Sequence, residues 1–279
     1  MLCHSELRRS EMKKLTWKTL LTGAATLGLV FAFGVHNQAP IVHAQNTPPV
    51  PSLSGQFILP QVDIQEDFLG QAPGTSARIG EYGWDSTVIV GGTNPVAAIA
   101  SVLNHPGLIT LTTDTTATHG VSVTLGPGFG VLFPGNSTNW QAEWIVSPNQ
   151  VATGSYRIGF GTVDTATAIP ANGIYFRFLQ GTDTYINACM DTASSEVVTA
   201  TSIAPSAADW LHLTMNSSVT GTVIFTVKDV NSGATSTVSL GSAPTVVLSP
   251  MFNIAETGSS VADVLTVDYF GYEQQGVTR

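Results

Sequence analysis

Glu143, Arg157, Tyr175 and Arg177 would bring a carboxylate, two guanidinium forks and a phenol together if the segments carrying them are neighbouring strands. Each lies in a run of period-two alternation. In 140–147, Trp140, Ala142, Trp144 and Val146 point one way and Gln141, Glu143, Ile145 and Ser147 the other. In 156–161, Tyr156, Ile158 and Phe160 oppose Arg157; in 173–179, Ile174, Phe176 and Phe178 oppose Tyr175 and Arg177. Pairing these runs as a meander buries the apolar sets and projects the four polar groups from one outer face. With Trp210 or Tyr185 as a stacking ring, the group suits a polyhydroxylated ligand, because guanidinium forks match hydroxyls and an aromatic face matches C–H groups. The same charges also make an ordinary cross-strand ion-pair ladder on a wet sheet face.

Hydrolytic chemistry finds less support. Retaining glycoside hydrolysis needs two carboxyl groups about 5–5.5 Å apart, and the strand of Glu143 (WQAEWIVS) carries no second acid. No Gly-x-Ser-x-Gly occurs, and His105, His119 and His212 stand apart from any nucleophile motif. His105, ahead of Pro106, reads as a loop residue hydrogen-bonded to backbone. No His or Cys spacing matches a zinc site. Asp229, Asn231 and Gly233 look like a calcium-loop fragment but lack the closing Glu, which leaves a turn.

The elements that position these residues are strands. Beyond Phe57 no stretch keeps a 3.6-residue period over three turns, while short alternating runs recur between Gly, Pro, Asn and Asp clusters as far as Leu265–Tyr272. About a dozen strands imply two sheets. Leu211, Leu213 and Met215 face inward and leave Trp210, His212 and Thr214 outside. Pro127-Gly128, Pro134-Gly135-Asn136 and Asn231-Ser232-Gly233 mark hairpin loops.

Composition bounds the partners. The chain has 279 residues and a formal charge of −9, but five of its ten Lys and Arg precede residue 45, leaving five basic against seventeen acidic residues in the body. Nucleic-acid binding rests on clustered Lys and Arg and is excluded. The leader has Lys13, Lys14 and Lys18, the uncharged stretch Leu20 to Val35, and then Val42-His43-Ala44. That is the pattern of a secretory signal cleaved after Ala44, since a bilayer span needs about 20 apolar residues. No membrane contact is expected after cleavage, and the product is secreted or held at the cell surface. Residues 45–56, with three prolines in QNTPPVPSLS, read as a tether to a domain at 57–279. The mature body keeps only Cys189, so no internal disulfide holds it; the thiol is expected to act as a small buried hydrophobe. Asn136 and Asn216 open N-x-S/T sequons, which matter only in a eukaryotic host.

A series of landmarks runs in order through the body: Glu66-Asp67-Phe68-Leu69-Gly70, Trp84, Asn104-His105-Pro106-Gly107, Arg157-Ile158-Gly159-Phe160-Gly161, Gly173-Ile174-Tyr175-Phe176, Trp210-Leu211-His212-Leu213 and Val267-Asp268-Tyr269-Phe270. Taken together it resembles the concanavalin A-like lectin and glucanase jelly-roll domain of phage tail and virion proteins and of some exported bacterial proteins. The resemblance spans nearly all of 57–279. It implies an all-β, two-sheet antiparallel jelly-roll sandwich with a curved outer face used for glycan binding, adhesion or surface structure. The export signal and the longer Asp229–Gly233 hairpin depart from it. Several such jelly rolls hold a structural calcium between first and last strands, and Glu66, Asp67 and Asp268 are the carboxylates in place here, although calcium takes six or more oxygens. The expectation is an exported, non-catalytic sandwich that binds a carbohydrate or surface polymer. The alternatives are a structural or adhesive surface protein without a sugar site, and a glycoside hydrolase.

Overall fold

The computed structural model describes residues 61–68, 78–89, 96–100, 102, 104–125, 133–134, 139–149, 154–162, 170–193, 195–207, 209–258 and 261–275. The leader, the tether and Asn136 lie outside them. The described residues form seventeen strands and no helix. One sheet holds β1 (Gln61–Glu66), β4 (Val96–Ile99), β5 (Leu108–Thr112), β8 (Trp140–Pro148), β13 (Leu211–Val219), β14 (Thr222–Asp229), β15 (Thr235–Gly241) and β17 (Val264–Gln275). The other holds β2 (Arg78–Ile79), β3 (Trp84–Ile89), β6 (Gly120–Thr124), β7 (Phe133–Pro134), β9 (Gly154–Gly161), β10 (Gly173–Leu179), β11 (Asn187–Thr192), β12 (Ser195–Ala200) and β16 (Val247–Glu256). All pairings are antiparallel. The first sheet runs β15-β14-β13-β8-β17-β5-β4, with β1 beside the second half of β17; the second runs β12-β11-β10-β9-β16-β6-β3-β2, with β7 on β16.

The alternation expected along 140–147, 156–161, 173–179 and 211–215 is present: Trp140, Ala142, Trp144, Val146, Ile158, Phe160, Phe176, Leu213 and Met215 are all in the core. The meander is not. β8 pairs with β13 and β17, while β9 lies between β10 and β16 in the other sheet. Their apolar sets face each other across the core: Phe160 lies 5.6 Å from Trp140 and 5.3 Å from Trp144, ring centre to ring centre, in edge contacts. A strand that shares a greasy face with its successor can thus be its neighbour or its opposite, and the period alone does not distinguish the two. Trp84 ties β3 to both layers, 5.3 Å from Phe252 and 5.1 Å from Phe270.

Two strands have weak sequence signals. Pro250 interrupts the apolar pattern of β16, yet β16 is central in its sheet. β12 is an edge strand with Val197 50% and Val198 41% exposed, so no buried stripe marks it. In β17, Val267 stands opposite Val146 and Tyr269 opposite Ile145, which leaves Asp268 as the extra residue of a bulge.

Trp144 is wholly buried, and its indole N–H finds no acceptor among the described residues. Trp144→Ala is expected to cost about 4 kcal/mol in urea unfolding, the usual cost of emptying a large aromatic site. Trp144→Phe should cost clearly less, because it keeps a ring against Phe160 and removes the buried donor. Equal losses in the two variants would contradict this packing.

Candidate functional site

The candidate residues divide between the two layers. Arg157 and Arg177 stand opposite each other on β9 and β10, with Tyr175 one row away, on the outer face of the second sheet. Glu143 and the loop residue Trp210 belong with the first sheet, so Glu143 does not join the other three; its strand has crossed the core. Nor is the arginine face wet. Arg157, Arg177 and Tyr175 are buried, and every residue of β9 is buried on both faces. Glycine is part of the reason: a Cβ on Gly173 would come within 2.8 Å of the Tyr175 ring, and one on Gly161 within 2.8 Å of Met251 Sδ, so these side chains lie flat on the sheet. Tyr175, Cys189 and Met251 form an apolar cluster there, and burial pushes the Cys189 thiol well above its ordinary range.

Arg177 is matched on this face by two carboxylates. Arg177 donates to both oxygens of Asp183, at 3.1 Å each, and to Glu196, which also accepts the Tyr175 hydroxyl at 2.5 Å. Burial opposes the Arg177 charge, but the Asp183 hydrogen bonds and the fields of Glu196 and Asp183 outweigh it and raise its pKa. Burial lowers the Arg157 pKa, partly offset by Tyr175 and Glu196. Asp191 stands opposite Glu196 in the β11–β12 ladder, buried, with neither oxygen hydrogen-bonded among the described residues. Burial first, and then Glu196, raise its pKa. Tyr185 is 41% exposed in the turn that carries Asp183.

All three body histidines meet carboxylates, which nothing in their spacing announces. His119 Nδ1 lies 2.5 Å from Asp114, His105 Nδ1 2.6 Å from Asp268, and His212 Nε2 2.9 Å from Glu143. His105 also stacks on Trp210 at 3.8 Å and 11°, which occupies one face of the ring proposed as a sugar platform. The calcium set does not fit an ion. Glu66 is buried and gives its oxygens to the Phe68 and Tyr82 amides, at 3.0 and 3.1 Å, and Asp268 is held by His105. Asp67 alone of the three is exposed. No group of three or more His, Cys, Asp or Glu side chains among the described residues is placed to hold a metal. Asp229 accepts from the Asn231 and Ser232 amides, as a turn residue does.

The open face of the first sheet carries features that the sequence reading missed. Ladder rows Gln65–Gly271–Glu143–Thr214 and Asp63–Glu273–Gln141–Asn216 run side by side across β1, β17, β8 and β13. Gly271 leaves the space over which the Tyr269 side chain lies: a Cβ there would fall 2.7 Å from the Tyr269 hydroxyl and 3.1 Å from Glu143 Cγ. The signal was a Tyr and a Gly two apart on one face. A depression of about 80 Å³ is lined by Tyr269, Gly271, Glu143, Gln65 and Asp63 among others. A second, of about 320 Å³, has Asn139, Trp140, Asn216, Ser217, Ser218 and Gln275 on its walls, and the two share Gln141 and Glu273. They form one polar trough. Within it the His212 hydrogen bond, despite partial burial, holds the Glu143 pKa below the usual carboxylate range, with a smaller contribution from Tyr269. Burial, together with Glu143, Asp67 and Asp63, pushes the Tyr269 pKa up to about 12.

No family model and no curated protein matches the chain. Solved structures do. The lectin UEA-II, complexed with galactose, is 6% identical, with 76% of this chain and 98% of that chain covered at a TM-score of 0.50. The winged bean acidic lectin, complexed with methyl-α-D-galactose, is 10% identical over 77% and 99% at 0.51. A third is a structure of the endo-acting O-glycanases that prominent members of the human gut microbiota express to initiate mucin breakdown, 13% identical over 76% and 98% at 0.50. The chain has the concanavalin A-like fold, a two-sheet antiparallel jelly-roll sandwich.

Two stability experiments test the arginine face. Arg177→Leu strands Asp183 and Glu196 without their cation and should cost about 3 kcal/mol in urea unfolding; a loss no larger than that of a surface substitution contradicts the assignment. Asp191→Asn should stabilise the protein at neutral pH. The folded pKa of Asp191 is raised, so below the unfolded value of 3.8 it is protonated in both states and its charge costs nothing. As pH rises above 3.8 the unfolded state ionises first, and once pH has passed the folded pKa both states are charged but only the native one holds the charge buried, so the full penalty is present there. The advantage of Asn should therefore vanish on acidification, and a pH-independent difference would refute it.

Proposed function

We propose that this protein is an exported, non-catalytic sandwich that binds glycan through the trough on the outer face of its first sheet. The observation that carries the reading is the trough's lining: amides and hydroxyls from Gln141, Asn216, Ser218 and Gln65 on adjacent strands, beside the Tyr269 side chain laid across Gly271. Sugar hydroxyls pair with such groups, and a sugar's C–H face packs on an aromatic ring. The galactose-type ligands in the two lectin structures support the same class of partner. Glu143 serves here as a positioned acceptor. Its hydrogen bond to His212 favours the ionised form, opposite to what a general acid needs.

A glycan array followed by titration calorimetry tests this. Tyr269→Ala and Asn216→Ala should each weaken binding about tenfold, with thermal unfolding of the Asn216 variant unchanged. Binding that survives both substitutions, or that follows Arg157 and Arg177 instead, would move the site elsewhere. Release of reducing ends would make the protein a hydrolase.

A further inference from the structure

We propose that β12, the last strand of the second sheet, is a pairing edge for a second copy of this chain, and that the resulting dimer is two-fold about Val198. Among the described residues β12 pairs with β11 alone, so its other side ends the sheet. Thr201, two residues beyond Thr199, gives its amide to Ile186 on the β11 side at 2.9 Å. Backbone direction alternates along a strand, so Glu196, Val198 and Ala200 turn their N–H and C=O groups to the open side. No backbone partner meets them there among the described residues. Exposed edges are ordinarily guarded by Lys, Pro, a bulge or a covering segment. The strand Ser195–Ala200 (SEVVTA) has no Lys or Pro, its register with β11 is unbroken, and Val197 and Val198 are 50% and 41% exposed. Its single charge is withdrawn: Glu196 is folded back onto Arg177 and accepts the Tyr175 hydroxyl.

What fits this edge is the edge itself. In an antiparallel pair, opposed residues share a face, and those whose backbone groups point outward exchange hydrogen bonds. A two-fold axis at Val198 sets Val198 against its own copy, Val197 against Thr199 and Glu196 against Ala200 of the second copy. Val and Thr meet one another, and no like charges are opposed. A self-matching register is what an isologous contact requires and an unrelated strand does not. The row Tyr175–Cys189–Val198 on the outer face then runs on into its copy. The other layer adds no repulsion. β15 ends the first sheet on the same side, where the Ser202 amide donates to Ser236 Oγ at 2.9 Å, and it carries no ionisable residue. Because the axis is normal to the sheets, both troughs open on one side of the dimer, and a polymer can engage the two together. That consequence, unlike the pairing, rests on the reading of the trough as a sugar site.

Sedimentation equilibrium of the full chain should show monomer and dimer, with dimer dominant at about 100 μM, the strength of a small interface. Val198→Lys and Val198→Glu each set like charges in direct opposition at the axis, and each alone should weaken association about tenfold or more. The melting temperature of dilute protein should stay at the parent value in both. An equimolar mixture of the two variants should restore dimers, because residue 198 of one copy meets residue 198 of the other, and high salt should undo that rescue. Val102→Lys, at an equally exposed valine just past β4, should leave association as it is. A chain that stays monomeric at that concentration, a dimer that survives Val198→Lys, or a mixture that fails to pair overturns the β12 assignment. On a long glycan that the array identifies, the parent should bind more than about tenfold tighter than Val198→Lys, while a short oligosaccharide should bind both alike. Equal affinity for the long glycan overturns the shared side of the troughs. If no glycan binds either protein, the sugar reading falls and the dimer is judged by sedimentation alone.

Discussion

The contact of Trp140 and Trp144 with Phe160 across the two layers sets the orientation of both surfaces. Because β8 and β9 meet face to face through these rings, Gln141 and Glu143 turn outward on one side of the sandwich and Arg157 turns outward on the other. Trp84, lodged between Phe252 and Phe270, repeats the arrangement farther along the sheets. The trough and the arginine network are therefore consequences of one core, and neither can shift its strand register by a residue without exchanging buried rings for polar groups.

Side-chain parity was legible in the sequence because period two is a local property. Trp144 in and Glu143 out needed only the neighbours in the chain. Strand pairing was legible where successive strands are neighbours, as β9 and β10 are, but not where a distant segment completes the layer: Glu143 finds His212 across 69 positions and His105 finds Asp268 across 163. β16 was obscured by Pro250, and β12 by two exposed valines. The Asp268 bulge shifts parity by one partway along β17, so alternation read from Leu265 misplaces everything beyond it. Burial of the Arg157 face was hidden for another reason. A run such as Gly159-Phe160-Gly161 reads as a strand with small residues, whereas its effect is to let Tyr175 and Met251 lie down and close the surface.

The two outer faces treat charge differently. One removes it from water and must then balance it, with Arg177 among Asp183, Glu196 and Tyr175, at the desolvation cost that such groups carry. The other keeps its carboxylates at the surface among Thr, Ser, Asn and Gln, where solvent screens them and a ligand can reach them.

Cys189 sits at the floor of the sealed face, in contact with Tyr175 and Met251. A chain beginning at Gln45 has no other sulfhydryl. Alkylating reagents can reach this sulfur only when the layer above it lifts, so its rate of modification is a built-in clock for the breathing of β10, β11 and β16, with no label to engineer and no background from a second site.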